Sequence, residues 1–146
     1  MSANGPLLIE VTRDVSVELP EAELSWRFSR SSGPGGQHVN TSSTAAELTF
    51  DVAGSPSLPQ SLRDRALRRL AGRLVDGTVT IRAEEFRSQL RNREAARDRL
   101  TELLRTALAP PPKRRKATRP SRGAVERRLE SKKRRSTLKE GRRRDW

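Results

Sequence analysis

Residues 24–52 read LSWRFSRSSGPGGQHVNTSSTAAELTFDV. The stretch Leu24-Ser25-Trp26-Arg27-Phe28-Ser29-Arg30 alternates apolar and polar side chains, the period of a half-buried β-strand. Ala46-Glu47-Leu48-Thr49-Phe50-Asp51-Val52 alternates again and reads as a second strand. Between them lie Ser32-Gly33-Pro34-Gly35-Gly36-Gln37 and then the polar, mostly short His38-Val39-Asn40-Thr41-Ser42-Ser43-Thr44. This connection is far longer than a hairpin turn requires, and extra length of that kind points to function. Glycine and proline add nothing to a core, and glycine is entropically costly to order. The loop can bend tightly and come close to another molecule. It presents a backbone and one uncharged amide, Gln37, to an outside partner.

Outward from this stretch, Leu7-Leu8-Ile9-Glu10-Val11 and Val15-Ser16-Val17 are candidate strands, and Pro20-Glu21-Ala22-Glu23 reads as a turn or short helical turn. Ser57-Leu58-Pro59 reads as a helix start, with Ser57 as cap and Pro59 in the first turn. Leu62, Ala66, Leu70 and Leu74 form its apolar stripe, Arg63, Arg65, Arg68, Arg69 and Arg73 lie off it, and Asp76-Gly77 reads as its stop. Val79-Thr80-Ile81 is a short strand. A longer helix is expected from about Glu84 to Leu108, with Phe86, Leu90, Leu100, Leu104 and Leu108 inward and Glu84 and Glu85 at its positive end. Ala109-Pro110-Pro111-Pro112 then stiffens the chain and ends the domain. The expectation is an α+β domain over residues 1–109, a mixed sheet of about four strands with two main helices. Residues 110–146 follow as a linker and basic tail, disordered alone and helical when bound.

Charge divides the chain at the same place. Of a net +13 over 146 residues, residues 110–146 contribute 16 Lys and Arg against 4 Asp and Glu, a net of +12. The first 109 residues hold 15 against 14 and are nearly neutral. A tail this basic calls for a polyanion. Its apolar residues Val125, Leu129 and Leu138 are too sparse for membrane insertion, so nucleic acid is the expected partner and no membrane is. The candidate RNA-binding side chains are Lys113, Arg114, Arg115, Lys116, Arg119, Arg122, Arg127, Arg128, Lys132, Lys133, Arg134, Arg135, Lys139, Arg142 and Arg143. With no cysteine and one histidine, neither a disulfide framework nor a zinc site is expected, and no cofactor is implied. No apolar run approaches the roughly 20 residues of a membrane span. Met1-Ser2-Ala3-Asn4-Gly5-Pro6 lacks the layout of a signal peptide, so a cytoplasmic protein is expected.

Several chemistries are excluded at the loop. No Gly-Lys-Ser/Thr follows, as a phosphate-binding P-loop needs, and no helix opens at the glycines, as a dinucleotide site needs. A lone His38 among many serines defines no Ser–His–Asp triad, and a lone histidine is more often incidental than catalytic.

Ser-Gly-Pro-Gly-Gly-Gln-His-Val-Asn resembles the catalytic loop of the class I peptide release factors and their stand-alone relatives. Ala46-Glu47-Leu48-Thr49-Phe50-Asp51, Ser57-Leu58-Pro59, Arg87-Ser88-Gln89 and Asn92-Arg93-Glu94-Ala95 resemble the same domain. Thr118-Arg119-Pro120 and Arg127-Arg128-Leu129-Glu130-Ser131-Lys132-Lys133 resemble the basic tail of one branch, the stand-alone ribosome-rescue factors. The resemblance covers roughly residues 7–144. It implies a peptidyl-tRNA hydrolase with Gly35, Gly36 and Gln37 as catalytic residues, acting as a monomer on a 70S-type ribosome. The implied partners are peptidyl-tRNA, rRNA, the peptidyl-transferase centre of the large subunit and the mRNA channel of the small subunit. The glycines would admit the loop to a narrow RNA-walled site, and the backbone N–H of Gln37 would stabilise charge at the ester. Arg87, Ser88, Gln89, Asn92 and Arg93 are treated as candidate RNA contacts, with packing near the loop as the other role the resemblance favours. At about 1.5 Å per helical residue or about 3.3 Å extended, the tail spans roughly 55–120 Å, enough to reach a remote site. Two other readings stay open on the residues: a non-catalytic ribosome- or RNA-binding module, and a hydrolase of free peptidyl-tRNA.

Overall fold

A computed structural model describes residues 4–30 and 43–145 of the chain. The chain divides into two compact units, Met1–Pro111 and Pro112–Trp146.

The first unit is α+β. Among the described residues five strands form two antiparallel sheets, where one mixed sheet of about four strands was expected. β1 (Leu7–Glu10) and β2 (Ser16–Leu19) make a hairpin. A single 3-10 turn, Glu21–Glu23, leads into the second sheet. There β3 (Leu24–Ser29), β4 (Ala45–Asp51) and β5 (Thr78–Ala83) lie in that order, with β4 central. Every strand pair among the described residues is antiparallel, since each strand runs back along the one beside it. The β4–β5 register shows why: Asp51 lies opposite Thr78 and Ala46 opposite Ala83.

Alternation decides the faces. Leu24–Phe50–Val79, Trp26–Leu48–Ile81 and Phe28–Ala46–Ala83 are three cross-strand rows on the inner face. Ser25–Thr49–Thr80 and Arg27–Glu47–Arg82 fill the outer face. Helix α2 (Gln89–Leu108) covers the inner face with Ala96, Leu100, Leu104, Ala107 and Leu108, all buried. The shorter α1 (Gln60–Arg69) adds Leu62 and Ala66, and β1 and β2 add Leu7, Ile9, Val17 and Leu19 to the same core. Each buried Leu, Ile, Val or Phe contributes about 1.5–3 kcal/mol of transfer free energy. This cluster, not helix propensity, is what holds α2 in place.

Several local expectations fail for tertiary reasons. Ser57 does not cap α1: Pro59 occupies the cap position, and the Ser57 hydroxyl donates instead to Glu23, as does that of Ser55. Helix α1 ends at Arg69, well before Asp76-Gly77. Those two residues, at φ +52° and +77°, make a tight reversal in which Val75 bridges to Thr78. Two positive φ values match a type I′ hairpin turn, which Asp-Gly favours. A side chain on Gly77 would also come within 2.5 Å of the Ala53 Cβ. Helix α2 starts at Gln89 rather than Glu84, so Glu84 and Glu85 precede it and pair with Arg82 and Arg99. Leu90 is 57% exposed, because Asn92 and Ala96 occupy the buried side of that turn.

The arginines of α1 also have structural work. Arg65 donates to the carbonyl of Leu108 at 2.8 Å, and Arg69 to those of Thr106 and Ala109 at 3.0 and 2.6 Å. They satisfy the open carbonyls at the C-terminus of α2, where positive charge also complements the helix dipole. Arg63 donates to the carbonyls of Ser55 and Leu58. Arg97, buried in the middle of α2, bonds Glu21 and the carbonyls of Gly5 and Pro6, which fastens the start of β1 to the helix.

The second unit runs without regular structure to Ser121 and then forms α3 (Arg122–Arg144), capped by the Ser121 hydroxyl. None of its residues is buried. Among the described residues, no helix is long and apolar enough to cross a membrane.

Candidate functional site at the root of the glycine loop

Gly35, Gly36, Gln37 and His38 lie outside the described residues. Both legs of their loop are described, and they meet at one place. Ser29 at the end of β3 is the register partner of Ala45 at the start of β4. Residues 30–44 therefore leave and return one strand spacing apart, about 5 Å. The loop residues thus connect two strands that pair directly in the sheet.

Three side chains from elsewhere hold the two legs. On the return leg, Asn92 of α2 donates through Nδ2 to the carbonyl of Thr44 at 2.7 Å. The same nitrogen donates to the carbonyl of Phe86 at 2.8 Å, and Oδ1 accepts from the Phe86 N–H at 2.9 Å. Two carbonyls and one N–H fix the orientation of this amide uniquely. Asn92 is fully buried, and Thr44 is nearly so. One residue earlier on the leg, Gln89 donates from Nε2 to the carbonyl of Ser43 at 2.6 Å. On the outgoing leg, Arg82 of β5 reaches Ser29 Oγ at 3.2 Å and the carbonyl of Arg30 at 3.5 Å. Glu84, at 2.9 Å, and Glu47, at 3.8 Å, hold that guanidinium from the other side.

The helix start is built to deliver these groups. Ser88 is extended and accepts from the Arg91 N–H at 3.3 Å, which opens α2 just before Gln89. Asn92 then lies three residues after Gln89, on the adjoining part of the helix surface. Beside them, Arg93 stacks 4.8 Å from the centre of the Trp26 ring and pairs with Glu21 at 3.1 Å. Trp26 and Phe28 lie nearly parallel, at 3°, with centres 6.0 Å apart. Trp26, partly buried, packs against the core, while Trp146 lies outside the described residues.

These contacts revise the reading of residues 87–93. Ser88 caps a helix, Asn92 is enclosed in the protein, and Arg93 is committed to Glu21 and Trp26. Ser88, Asn92 and Arg93 serve packing and hydrogen bonding at the loop's root, while Arg87 and Gln89 are exposed. Replacing Asn92 with Ala strands the partly buried Phe86 N–H and the buried Thr44 carbonyl. The expected loss is about 2–4 kcal/mol in a denaturant melt; a change under about 1 kcal/mol would mean water or a relaxed backbone satisfies both groups.

The tail cations have a different setting. Lys113, Arg114, Arg115, Lys116 and Arg119 lie on the extended segment before α3; the remaining candidates lie on the helix, and all are exposed. At 3.6 residues per turn the helix is two-sided in charge. Arg127, Arg128, Lys132, Arg134, Arg135, Lys139, Arg142 and Arg143 share about half its circumference, while Glu126, Glu130 and Glu140 fall on the other side together with Arg122, Lys133 and Arg144, which leaves that side near neutral. The sequence carries this segregation in the spacing of its charges.

The family model described as the RF-1 domain matches residues 13–145, loop, root and tail together. The chain belongs to this release-factor family. Among individual relatives, the peptidyl-tRNA hydrolase ArfB of Pseudomonas putida is 43% identical over 128 residues, which cover 87% of this chain and 92% of the relative. Peptide chain release factor 1 of Caldicellulosiruptor saccharolyticus is 34% identical over 111 residues, 72% of this chain but 31% of the relative. That of Staphylococcus carnosus is 34% identical over 98 residues, 64% and 27%. The chain thus matches nearly the whole of one relative and about a third of the others.

Proposed function

We propose that this protein rescues stalled ribosomes by hydrolysing the ester of peptidyl-tRNA in the peptidyl-transferase centre, without reading a codon. The observation that carries the reading is the match to a peptidyl-tRNA hydrolase over 92% of that relative's length. The intact Gly35-Gly36-Gln37 supports catalysis over a purely binding role. The two glycines let the backbone approach an RNA-walled site that a Cβ would block. The backbone N–H of Gln37 stabilises the developing oxyanion or leaving oxygen, and its side chain orients water and excludes other nucleophiles. The ribosome supplies the positioned ester, so no strong protein base is required.

The tail decides where this happens. Its basic side lies along rRNA in the mRNA entry channel when that channel is empty. Contacts from Lys and Arg to phosphate carry little sequence information, so the tail reads vacancy, not a codon. Free in solution the tail has no packing to hold it, and its like charges repel, so it folds on binding. A peptide of residues 112–146 is expected to gain circular-dichroism helicity when a polyanion is added in low salt. Equal helicity with and without the polyanion would remove the folding step.

The decisive test uses labelled peptidyl-tRNA in two forms. Hydrolysis is expected when it sits in ribosomes stalled on mRNA that ends in the P site. It is not expected for the same peptidyl-tRNA free in solution, where a self-sufficient hydrolase would succeed. A module that only binds would hydrolyse neither.

A further inference from the structure

We infer that Gln89 is a positioning residue for the release reaction, acting by fixing the return leg of the catalytic loop; this rests on the function proposed above. The leg from Ala45 onward is already locked by strand pairing to β3 and β5. Thr44 is held by Asn92, whose removal also strips the Phe86 turn of its partners and so unsettles the fold. Gln89 differs. It is exposed, stands at the first position of α2, and among the described residues its side chain makes one hydrogen bond, 2.6 Å to the carbonyl of Ser43. That carbonyl belongs to the first described residue after residues 31–42. The core gains nothing from this bond, since neither partner packs in it. What the bond does set is the direction in which the chain departs from the sheet toward Gln37. Arg82 performs the matching task on the outgoing leg, through Ser29 and Arg30. A loop gripped at both legs enters its target with less orientational freedom to lose. Catalysis by a placed N–H is sensitive to such placement.

Gln89→Glu separates positioning from stability. The change keeps size and shape, removes the donor, and sets a carboxylate against the Ser43 carbonyl. It also puts negative charge at a helix N-terminus, which favours the helix. On ribosomes stalled on truncated mRNA, the release rate at saturating protein is expected to fall roughly 10- to 100-fold, the effect of a displacement of about 1 Å. The half-saturating concentration stays at the parental value within error, and the melting temperature stays at or above that of the parent. Gln89→Lys restores a donor within reach of Ser43 and is expected to recover most of the rate. Release by Gln89→Glu at the parental rate overturns the role. So does a loss explained by a lower melting temperature or weaker binding, or a Gln89→Lys variant as slow as Gln89→Glu. If Gln89→Glu matches an active parent, the proposed function stands and only the clamp falls. A parent inactive on these ribosomes overturns both.

Discussion

Gln37→Pro is expected to reduce peptide release from stalled ribosomes by about 10²–10³-fold, the loss typical of removing one oxyanion donor. Proline has no backbone N–H and fixes φ near −65°. The change therefore deletes the proposed donor while leaving the tail, the sheet and the root contacts in place. Ribosome binding should be nearly unchanged, because the tail's cations carry it. Gln37→Ala is the informative companion. It retains the N–H and removes only the side chain, so the rate loss should be smaller. Its characteristic defect should be selectivity, with a small added nucleophile such as hydroxylamine accepted more readily in place of water. Equal damage from both changes would place the chemistry in the amide side chain. Near-normal release by Gln37→Pro would remove the backbone N–H from the mechanism.

Removal of residues 113–146 is expected to abolish rescue. The truncated chain keeps the whole buried cluster, and none of the residues removed is part of it. It should therefore melt near the temperature of the full chain. What it loses is 16 basic residues, and with them the salt-dependent part of binding. If the bound tail makes 6–10 phosphate contacts, affinity of the full chain falls about 10³–10⁵-fold between 50 and 200 mM salt. The truncated chain should bind weakly at every salt concentration with a shallow slope. Full activity in the truncated chain would mean the tail has no part in recruitment. A finer test follows from the two sides of α3. Reversing Arg128, Lys132 and Arg135 should collapse binding, while neutralising Glu126 and Glu130 should leave it intact or tighten it.

The parts of the molecule visible in its sequence are those determined by neighbours along the chain. The alternation of Leu24–Arg30 and Ala46–Val52 gives β3 and β4 to within a residue or so, because burial on one face of a pleated strand leaves a period of two. The loop between them stands out by composition, and the tail by charge. Errors cluster where a residue's partner is distant. Ser57 has the form of a helix cap, yet its hydroxyl answers to Glu23 across the fold. Arg65 and Arg69 look like surface charge until the end of α2 arrives beside them. Asp76-Gly77 carries a hairpin signal as strong as its helix-stop signal, and only the neighbouring Val75–Thr78 bridge decides between them. Asn92 is the most instructive residue. In sequence it is one more polar residue at a helix start. In the fold it is a buried amide with three hydrogen bonds, and it ties the loop's return leg to α2. The proposed catalytic triplet stands out in the sequence by its local composition, whereas the contacts at the root of its loop join residues as far apart as Thr44 and Asn92.

The central claim is that the loop completes an active site made of RNA and that the tail licenses its entry. The most direct test is single-turnover peptide release from ribosomes holding the same peptidyl-tRNA on two mRNAs. One ends in the P site, and the other continues through the entry channel with a sense codon in the A site. Rapid release from the first and little from the second is the predicted result. Equal release from both, or release from neither, would contradict it.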